Sequence, residues 1–530
     1  MFRFTLRPDL SPRLVWLVAG AVFVLKSLFL LSGTLRELAT TTWIIDDSII
    51  EMAVARNVGH GFGFTLDGVN PTTGAPFLWI YLTSLNHVFF GLEGAFKATL
   101  IESTLFGAFS TVVVYFLARK VSGSDAVAWI AFLLSTFSAN AFFNAMNGME
   151  TSFFTLVVLL SFATFFGVGR PAGWSSMAWG SVTGLFLGLT VMTRGDGLFV
   201  LLTLVGMQCV DCFNARGGDR GSKLRQLAGM LLVAGLCFAG FMAWQLVQTG
   251  SPFPANQMGR RGMSLSLHSF SYDDFSLPRY VKIVAWNVFQ LETLVRIALG
   301  SSVLGLLAVG SGLLQPTYRR YAALLGVYCA IFFTLLVAYQ WYFPDFHGLR
   351  YINPAAHLSF VLIAVLLWQL PSHRWKPAVV GVMALSLLAL GGYRHYDLAM
   401  HMPWAKYMSY VARPSQEDLK TFWSLIDWMD EHLPKGTVVG VRDYGRVTLF
   451  TDLTIQDISG NIYLDAITTL NDGTLDEYLK SRKVEYLMIP SLEMRGDQLY
   501  QYLHNEMHLE LVEEAPKSPT QYLYKIIWDR

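Results

Sequence analysis

A chain that repeatedly offers about twenty consecutive apolar residues has few folds open to it. Inside a bilayer every backbone N–H and C=O must find its partner within the segment, and for single apolar runs that means helices. Such runs lie near residues 13–33, 95–118, 125–144, 148–168, 175–192, 195–213, 224–247, 293–314, 320–340, 354–371 and 376–392. The composition agrees: 53% of the 530 residues are hydrophobic and 15% are charged, against roughly 25% charged in soluble domains. The expected fold class is therefore a polytopic α-helical membrane protein with about 11 transmembrane helices. The first run follows MFRFTLRPDLSPR and has no small-residue cleavage pattern, so it reads as a retained helix rather than a signal peptide. The net charge of +1 and the lack of a basic tail give no reason to expect a nucleic-acid partner. Cys209, Cys212, Cys237 and Cys329 all fall in apolar runs, and Cys209-x-x-Cys212 has no second pair with which to hold a metal. They read as buried thiols.

A further apolar stretch, PFLWIYLTSLNHVFFGL at 76–92, is short and carries Asn86 and His87. If it does not cross, the basic clusters around Arg3, Arg119, Arg170, Arg220, Arg319 and Arg374 all fall on one side, as the positive-inside rule requires. It is therefore expected to be re-entrant or interfacial, with the N-terminus cytoplasmic and everything after Gly391 outside. The outer face then collects Asp46 and Asp47, NAMNGMET (144–151), TRGDG (193–197), GSPFPANQMGRR (250–261) and FPDFHGLRYINP (343–354). The cytoplasmic loops are short and merely basic, so loop-borne function belongs outside. From about residue 393 the texture becomes that of a soluble domain. Ser415-x-x-Asp418 opens an amphipathic helix, and VVGV (438–441), LTIQDI (453–458) and VEYLMIP (484–490) read as strands interleaved with helices. The expected organisation is a membrane domain over 1–392, with a first outer loop at 34–94, and an extracytoplasmic α/β domain over 393–530.

The acidic pair in WIIDDSII is the most informative polar feature. A loop carboxylate is ordinarily solvated, but here isoleucines and Trp43 flank the pair, and both apolar surroundings and a neighbouring acid favour proton retention. The segment RNVGHGFG (56–63) ends a helix in glycines, and NPTTG (70–74) is turn chemistry, so both send the chain back towards the membrane. His60 has the residue type of a base or metal ligand, although a surface histidine is the plainer reading.

The ordered set DDSIIEMAVARNVGHGFGF, NPTTGAPFLW, MNGMETSFF, TRGDGLFVL, PFPAN and RYINP resembles the GT-C superfamily of polyprenyl-phosphate-sugar-dependent glycosyltransferases. Within it, the chain is most similar to the bacterial branch of the mycobacterial terminal β-1,2-arabinofuranosyltransferase. The resemblance extends to RDYGRVTLF and IQDISGN in the tail. It departs from the pattern at Thr193–Gly197, which lacks the usual proline, and after Asn256, where a lysine is usual and Arg260 and Arg261 stand instead.

The resemblance implies an enzyme of the bacterial cell membrane that takes a sugar, arabinofuranose first and mannose or another hexose second, from a polyprenyl-phosphate donor. The acceptor would be a glycan, glycolipid or protein. A lipid-linked phosphate is already a good leaving group, so one carboxylate suffices as base. Asp46 is the first choice, with Asp47 as its supporting neighbour. Arg350, Arg194, Arg260 and Arg261 are candidates for the donor phosphate because guanidinium forks suit phosphate oxygens, and Lys26, within the first span, is another. Arg56, Asn57, His60, Asn147, Glu150, Asp196, Asn256, Asp443 and Asp457 are candidates for binding the acceptor or shaping the loops. Asp47 and Glu150 are candidate ligands for a divalent cation such as Mg, Mn or Ca. The rival class is a lipid-linked sugar transporter or flippase, which calls for ionisable residues deep in several spans. Here Lys26, Glu102 and Glu292 are the main ones.

Overall fold

Lipid-facing helices need length, and five described ones have it: α1 (Leu10–Ser32), α5 (Leu92–Ser122), α9 (Ser176–Thr193), α10 (Gly197–Asn214) and α11 (Gly218–Thr249). Between them come the short outer-loop helices α2 (Leu35–Thr40), α3 (Asp46–Gly59) and α4 (Phe77–Phe89), and the apolar helices α6 (Asp125–Phe137), α7 (Ala139–Met146) and α8 (Thr151–Phe165). Further on are α12 (Pro316–Gln340), a 3-10 turn at Arg350–Ile352 and α13 (Asn353–Gln369). The computed structural model describes residues 10–40, 44, 46–252, 254, 309–340, 350–369, 416–442, 445–460, 462–489, 498–517 and 521–528. The expected span at 376–392, and most of that at 293–314, lie outside those residues.

One expectation about spans changes. The run at 125–144 is not one helix: Ser138 adopts an extended conformation, its Oγ accepts from the Ala141 N–H, and it caps α7 after α6 has ended. A hydroxyl able to cap therefore breaks an apolar run that hydropathy joins. The stretch at 76–92 forms α4, whose 13 residues rise about 20 Å, short of the roughly 30 Å hydrocarbon core. It packs against α3 and α5, with Trp79, Ile80 and Thr83 buried and Asn86 Nδ2 donating to Glu102 Oε2 at 3.0 Å.

Among the described helices α9 and α11 make the most extensive contact, and a stripe of glycines permits it. Gly180, Gly184 and Gly188 recur every fourth residue and so share one face of α9. A Cβ on Gly184 would stand 2.5 Å from the Met230 carbonyl oxygen, so backbone meets backbone along this seam.

The C-terminal region is built on a five-stranded sheet of order β2-β1-β3-β5-β4, with β1 (Val438–Val441), β2 (Thr454–Asp457), β3 (Tyr486–Ile489), β4 (Leu509–Leu511) and β5 (Tyr522–Ile526). The first three are parallel, β2 on β1 and β3 on β1, and β5 joins β3 antiparallel. Helices α14 (Gln416–His432), α15 (Gly445–Phe450), α16 (Leu464–Asp472), α17 (Leu475–Ser481) and α18 (Gln498–Glu506) accompany it. The three expected strands are present, and β4 and β5 add an antiparallel edge that sequence reading missed. Its apolar core is not private: Ile44, Ile49, Met52, Phe64 and Leu66 of the first outer loop pack in one cluster with Phe422, Trp423, Ile426, Val447 and Met488. The domain boundary expected at 392/393 lies outside the described residues.

The α9–α11 seam is testable. Gly184→Leu should lower the thermal unfolding midpoint in detergent by an amount equivalent to about 1–3 kcal/mol of overpacking. Gly235→Leu, on a face of α11 with open space around it, should leave the midpoint unchanged. Equal midpoints for the two variants would contradict the packing described.

Candidate active site

Helix α3 starts on the acidic pair, which suits a helix N-terminus, where the backbone dipole favours negative charge. Successive helical residues point about 100° apart, so the two carboxylates meet different surroundings. Asp46 turns to the C-terminal sheet domain. Its Oδ2 accepts from the Gly445 N–H at 3.0 Å, and its Oδ1 accepts from the Arg446 N–H at 3.2 Å and from Arg446 Nη1 at 3.0 Å. It thus caps α15 from across the chain. A Cβ on Gly445 would fall 2.8 Å from Asp46 Oδ1, so only glycine permits this approach. Burial raises the proton affinity of Asp46, with Arg446 and the two N–H groups opposing.

Asp47 turns the other way. Its Oδ2 accepts from Arg350 Nη1 at 2.8 Å, and its side chain is 32% exposed while that of Arg350 is 4% exposed. Glu51, four residues on, lies on the same face of α3 and is buried. It lies close enough to Glu150 to feel its charge. Burial first, then the charge of Glu150, holds Glu51 well above the usual carboxylate range. Glu150 is itself pushed up by burial, but Arg194 and Arg350 outweigh that and hold it below the usual range.

The arginines come from distant turns. Arg194 caps the end of α9; its Nε donates to Asp196 Oδ1 at 2.9 Å, and its Nη1 donates to Glu150 Oε1. Arg350 sits in the 3-10 turn before α13; its Nη2 donates to the Tyr351 hydroxyl at 3.1 Å, and its Nη1 contacts Met149 Sδ at 3.3 Å. Both guanidinium groups lie against the Tyr351 ring, at 4.7 Å for Arg194 and 4.9 Å for Arg350. Arg350 Nε is buried with no acceptor among the described residues. Gly148 takes φ +76° in the turn that delivers Glu150, and Asn147 Oδ1 accepts there from the Met149 N–H at 2.9 Å.

The structure thus gathers Asp47, Glu150, Asp196, Arg194 and Arg350, all candidates from sequence, and adds Glu51 and Tyr351, which sequence reading missed. Glu51 was legible as the i+4 partner of Asp47. Other candidates serve elsewhere. Arg56 Nη2 donates to the Thr448 carbonyl oxygen at 3.2 Å, tying α3 to α15. Asn57 Nδ2 donates to the carbonyl oxygens of Thr65 and Leu66 and shapes the loop. His60 is exposed, edge-on to His87. Asp457 is fully buried at the end of β2, where it accepts from Ser459, Ile462 and Tyr463, so it shapes a turn and has no open side for an acceptor. Lys26 lines a separate polar cavity with Ser135, Ser152, Asn353 and His357, its Nζ 4.5 Å from the Phe142 ring centroid. Asn256, Arg260, Arg261 and Asp443 lie outside the described residues.

The expected cation pair does not suit a metal. Asp47 and Glu150 are each spent on a guanidinium, and among the described residues no group of three or more His, Cys, Asp or Glu side chains is arranged to hold an ion.

Glu51 makes a pH test possible. A carboxyl whose folded proton affinity is raised contributes full stability below its unfolded pKa of about 4.3 and loses it as pH climbs towards the folded value. Wild-type protein should therefore lose stability relative to Glu51→Gln as pH rises from about 4.3, read as diverging thermal midpoints. Parallel pH curves for the two proteins would contradict a proton held at Glu51.

Residues 66–250, which include Glu150, Arg194 and Asp196 but not Asp47, match the family described as dolichyl-phosphate-mannose-protein mannosyltransferase. Residues 411–526 match a domain of unknown function, DUF8728. No curated protein matches the chain in sequence. In fold the chain is similar to ArnT from Cupriavidus metallidurans bound to undecaprenyl phosphate, at 13% identity over 97% of each chain with a TM-score of 0.59. It is likewise similar to the archaeal oligosaccharyltransferase AglB from Archaeoglobus fulgidus in complex with an inhibitory peptide and a dolichol-phosphate, at 13% identity over 95% of this chain and 74% of that one, TM-score 0.58. A complex of the Archaeoglobus fulgidus oligosaccharyltransferase with Zn and sulfate aligns at 14% identity over 94% and 72%, TM-score 0.55. In fold the chain is similar to ArnT and AglB, and over residues 66–250 it carries the pattern of the dolichyl-phosphate-mannose-protein mannosyltransferase family.

Proposed function

We propose that the protein transfers a sugar from a polyprenyl-phosphate donor in the outer leaflet to a hydroxyl of an extracytoplasmic acceptor, with inversion, and that Asp47 is the base. The observation that carries this reading is the pairing of a partly open Asp47 with a buried Arg350 at 2.8 Å. The fold of structures bound to undecaprenyl phosphate and dolichol-phosphate supports the donor class.

The chemistry follows from the charges. The donor phosphate draws on Arg350, whose Nε has hydrogen-bonding capacity to spare, and on Arg194. As the phosphate competes for Arg350, Asp47 is released to accept. The acceptor O–H gives its proton to Asp47, its oxygen bonds to the anomeric carbon, and the bond from that carbon to the phosphate oxygen breaks on the opposite face. Polyprenyl phosphate departs with the added negative charge, which the guanidinium groups offset. This reverses the order expected from sequence, where Asp46 came first: Asp46 already accepts three hydrogen bonds from Gly445 and Arg446.

Arabinofuranose remains the first donor sugar, on the resemblance of the motif set. Mannose is the second, favoured by the family pattern of residues 66–250. The outer domain is the acceptor side, and the enzyme works in a bacterial cell membrane with its N-terminus cytoplasmic. No step is assigned to a divalent cation.

Labelled polyprenyl-phosphate arabinofuranose and mannose, supplied to membranes containing the protein, test the reading. Asp47→Asn should cut transfer by about 10²–10⁴-fold at temperatures where the variant is still folded, and Arg350→Ala should raise the donor KM. Full turnover by Asp47→Asn would overturn Asp47 as base, and an unchanged donor KM would remove Arg350 from the phosphate site.

A further inference from the structure

We propose that Arg446, in the outer domain, is a positioning residue for the base, so that helix α15 braces the active site from the outer-domain side. This rests on Asp47 being the base.

The geometry is specific. Arg446 is 2% exposed, and its guanidinium gathers three acceptors of the first outer loop. Nε and Nη2 donate to the Ala39 carbonyl oxygen at 3.2 and 3.1 Å, Nη2 also donates to the Ile44 carbonyl oxygen at 3.0 Å, and Nη1 donates to Asp46. One side chain thereby joins the end of α2 to the entrance of α3. Only a planar fork with several fixed donors reaches all three acceptors, and lysine has no such fork.

The same outer-domain helix holds α3 at its far end, where Arg56 donates to the Thr448 carbonyl oxygen. Asp46 and Arg56 are ten residues apart, about 15 Å along the helix, so α15 fixes both the position and the rotation of α3. Rotation is what matters for chemistry. Asp47 follows Asp46 in the first turn, and turning α3 by part of a residue step moves Asp47 off Arg350. Gly445 enforces the same contact sterically, because any Cβ there would collide with Asp46.

The test compares kcat and donor KM for Arg446→Gln, Arg446→Lys and Gly445→Ala in the full-length protein. Each should lose tenfold or more in kcat with donor KM changed less than twofold, and Arg446→Lys should recover part of the loss of Arg446→Gln. Thr72→Val removes a different contact between the loop and the outer domain, Thr72 Oγ1 to the Ile462 carbonyl oxygen at 2.6 Å. It should lower the thermal midpoint while keeping kcat below that temperature. Wild-type kcat in folded Arg446→Gln would overturn the proposal, and if that variant does not fold, wild-type kcat in Gly445→Ala overturns it equally. Loss of activity in these variants alongside full turnover by Asp47→Asn would instead sink Asp47 as base, which separates the two failures.

Discussion

Two adjacent carboxylates at the start of one helix, each taken by a different buried arginine, set the geometry on which the rest of the site depends. Asp46 goes to Arg446, 400 residues later in the chain, and Asp47 goes to Arg350. Breaking a buried ion pair by removing one partner typically costs 3–5 kcal/mol, since it strands a charge away from water. Both pairs are therefore expensive to lose, and together they lock α3 between the membrane helices and the sheet domain. The apolar core that the first outer loop shares with that domain reinforces the lock without directing it, because hydrophobic contact has no preferred rotation.

The cluster behind Asp47 is organised by charge balance. Asp47, Glu51, Glu150 and Asp196 face two arginines; burial and the charge of Glu150 push the Glu51 carboxyl well above the usual range, while the arginines hold Glu150 below it. The result is a site whose cations stay fixed while one carboxylate, Asp47, retains solvent access. A phosphate-bearing donor suits such a place, since it brings anionic oxygens to guanidinium groups that are already desolvated and aligned. A transporter would instead spread ionisable residues along the spans. Among the described residues Lys26 and Glu102 are the main ones there, and Glu102 is engaged by Asn86.

How much of this was legible in the sequence depended on distance along the chain. Apolar runs are local, so α1, α5, α9, α10, α11 and α12 follow from hydropathy, and the shortness of 76–92 foretold α4. Ser138 escaped because one capping hydroxyl does not alter a hydropathy window. The strands β4 and β5 escaped because LEL and YLYKI flank a polar segment, EEAPKSP, that reads as loop. Asp47, Glu150, Arg194 and Arg350 were picked out one by one as outer-face charges, and only folding brings them together. The order within the acidic pair was not legible, since nothing near residue 46 announces that Gly445 and Arg446 will claim it.

The most direct measurement is a structure of the Asp47→Asn protein with a polyprenyl-phosphate sugar bound. Asp47 as base predicts the anomeric carbon beside residue 47, the phosphate on Arg350, and Asp46 still held by Arg446. An anomeric carbon beside Asp46, with Asp46 released from Arg446, would contradict it.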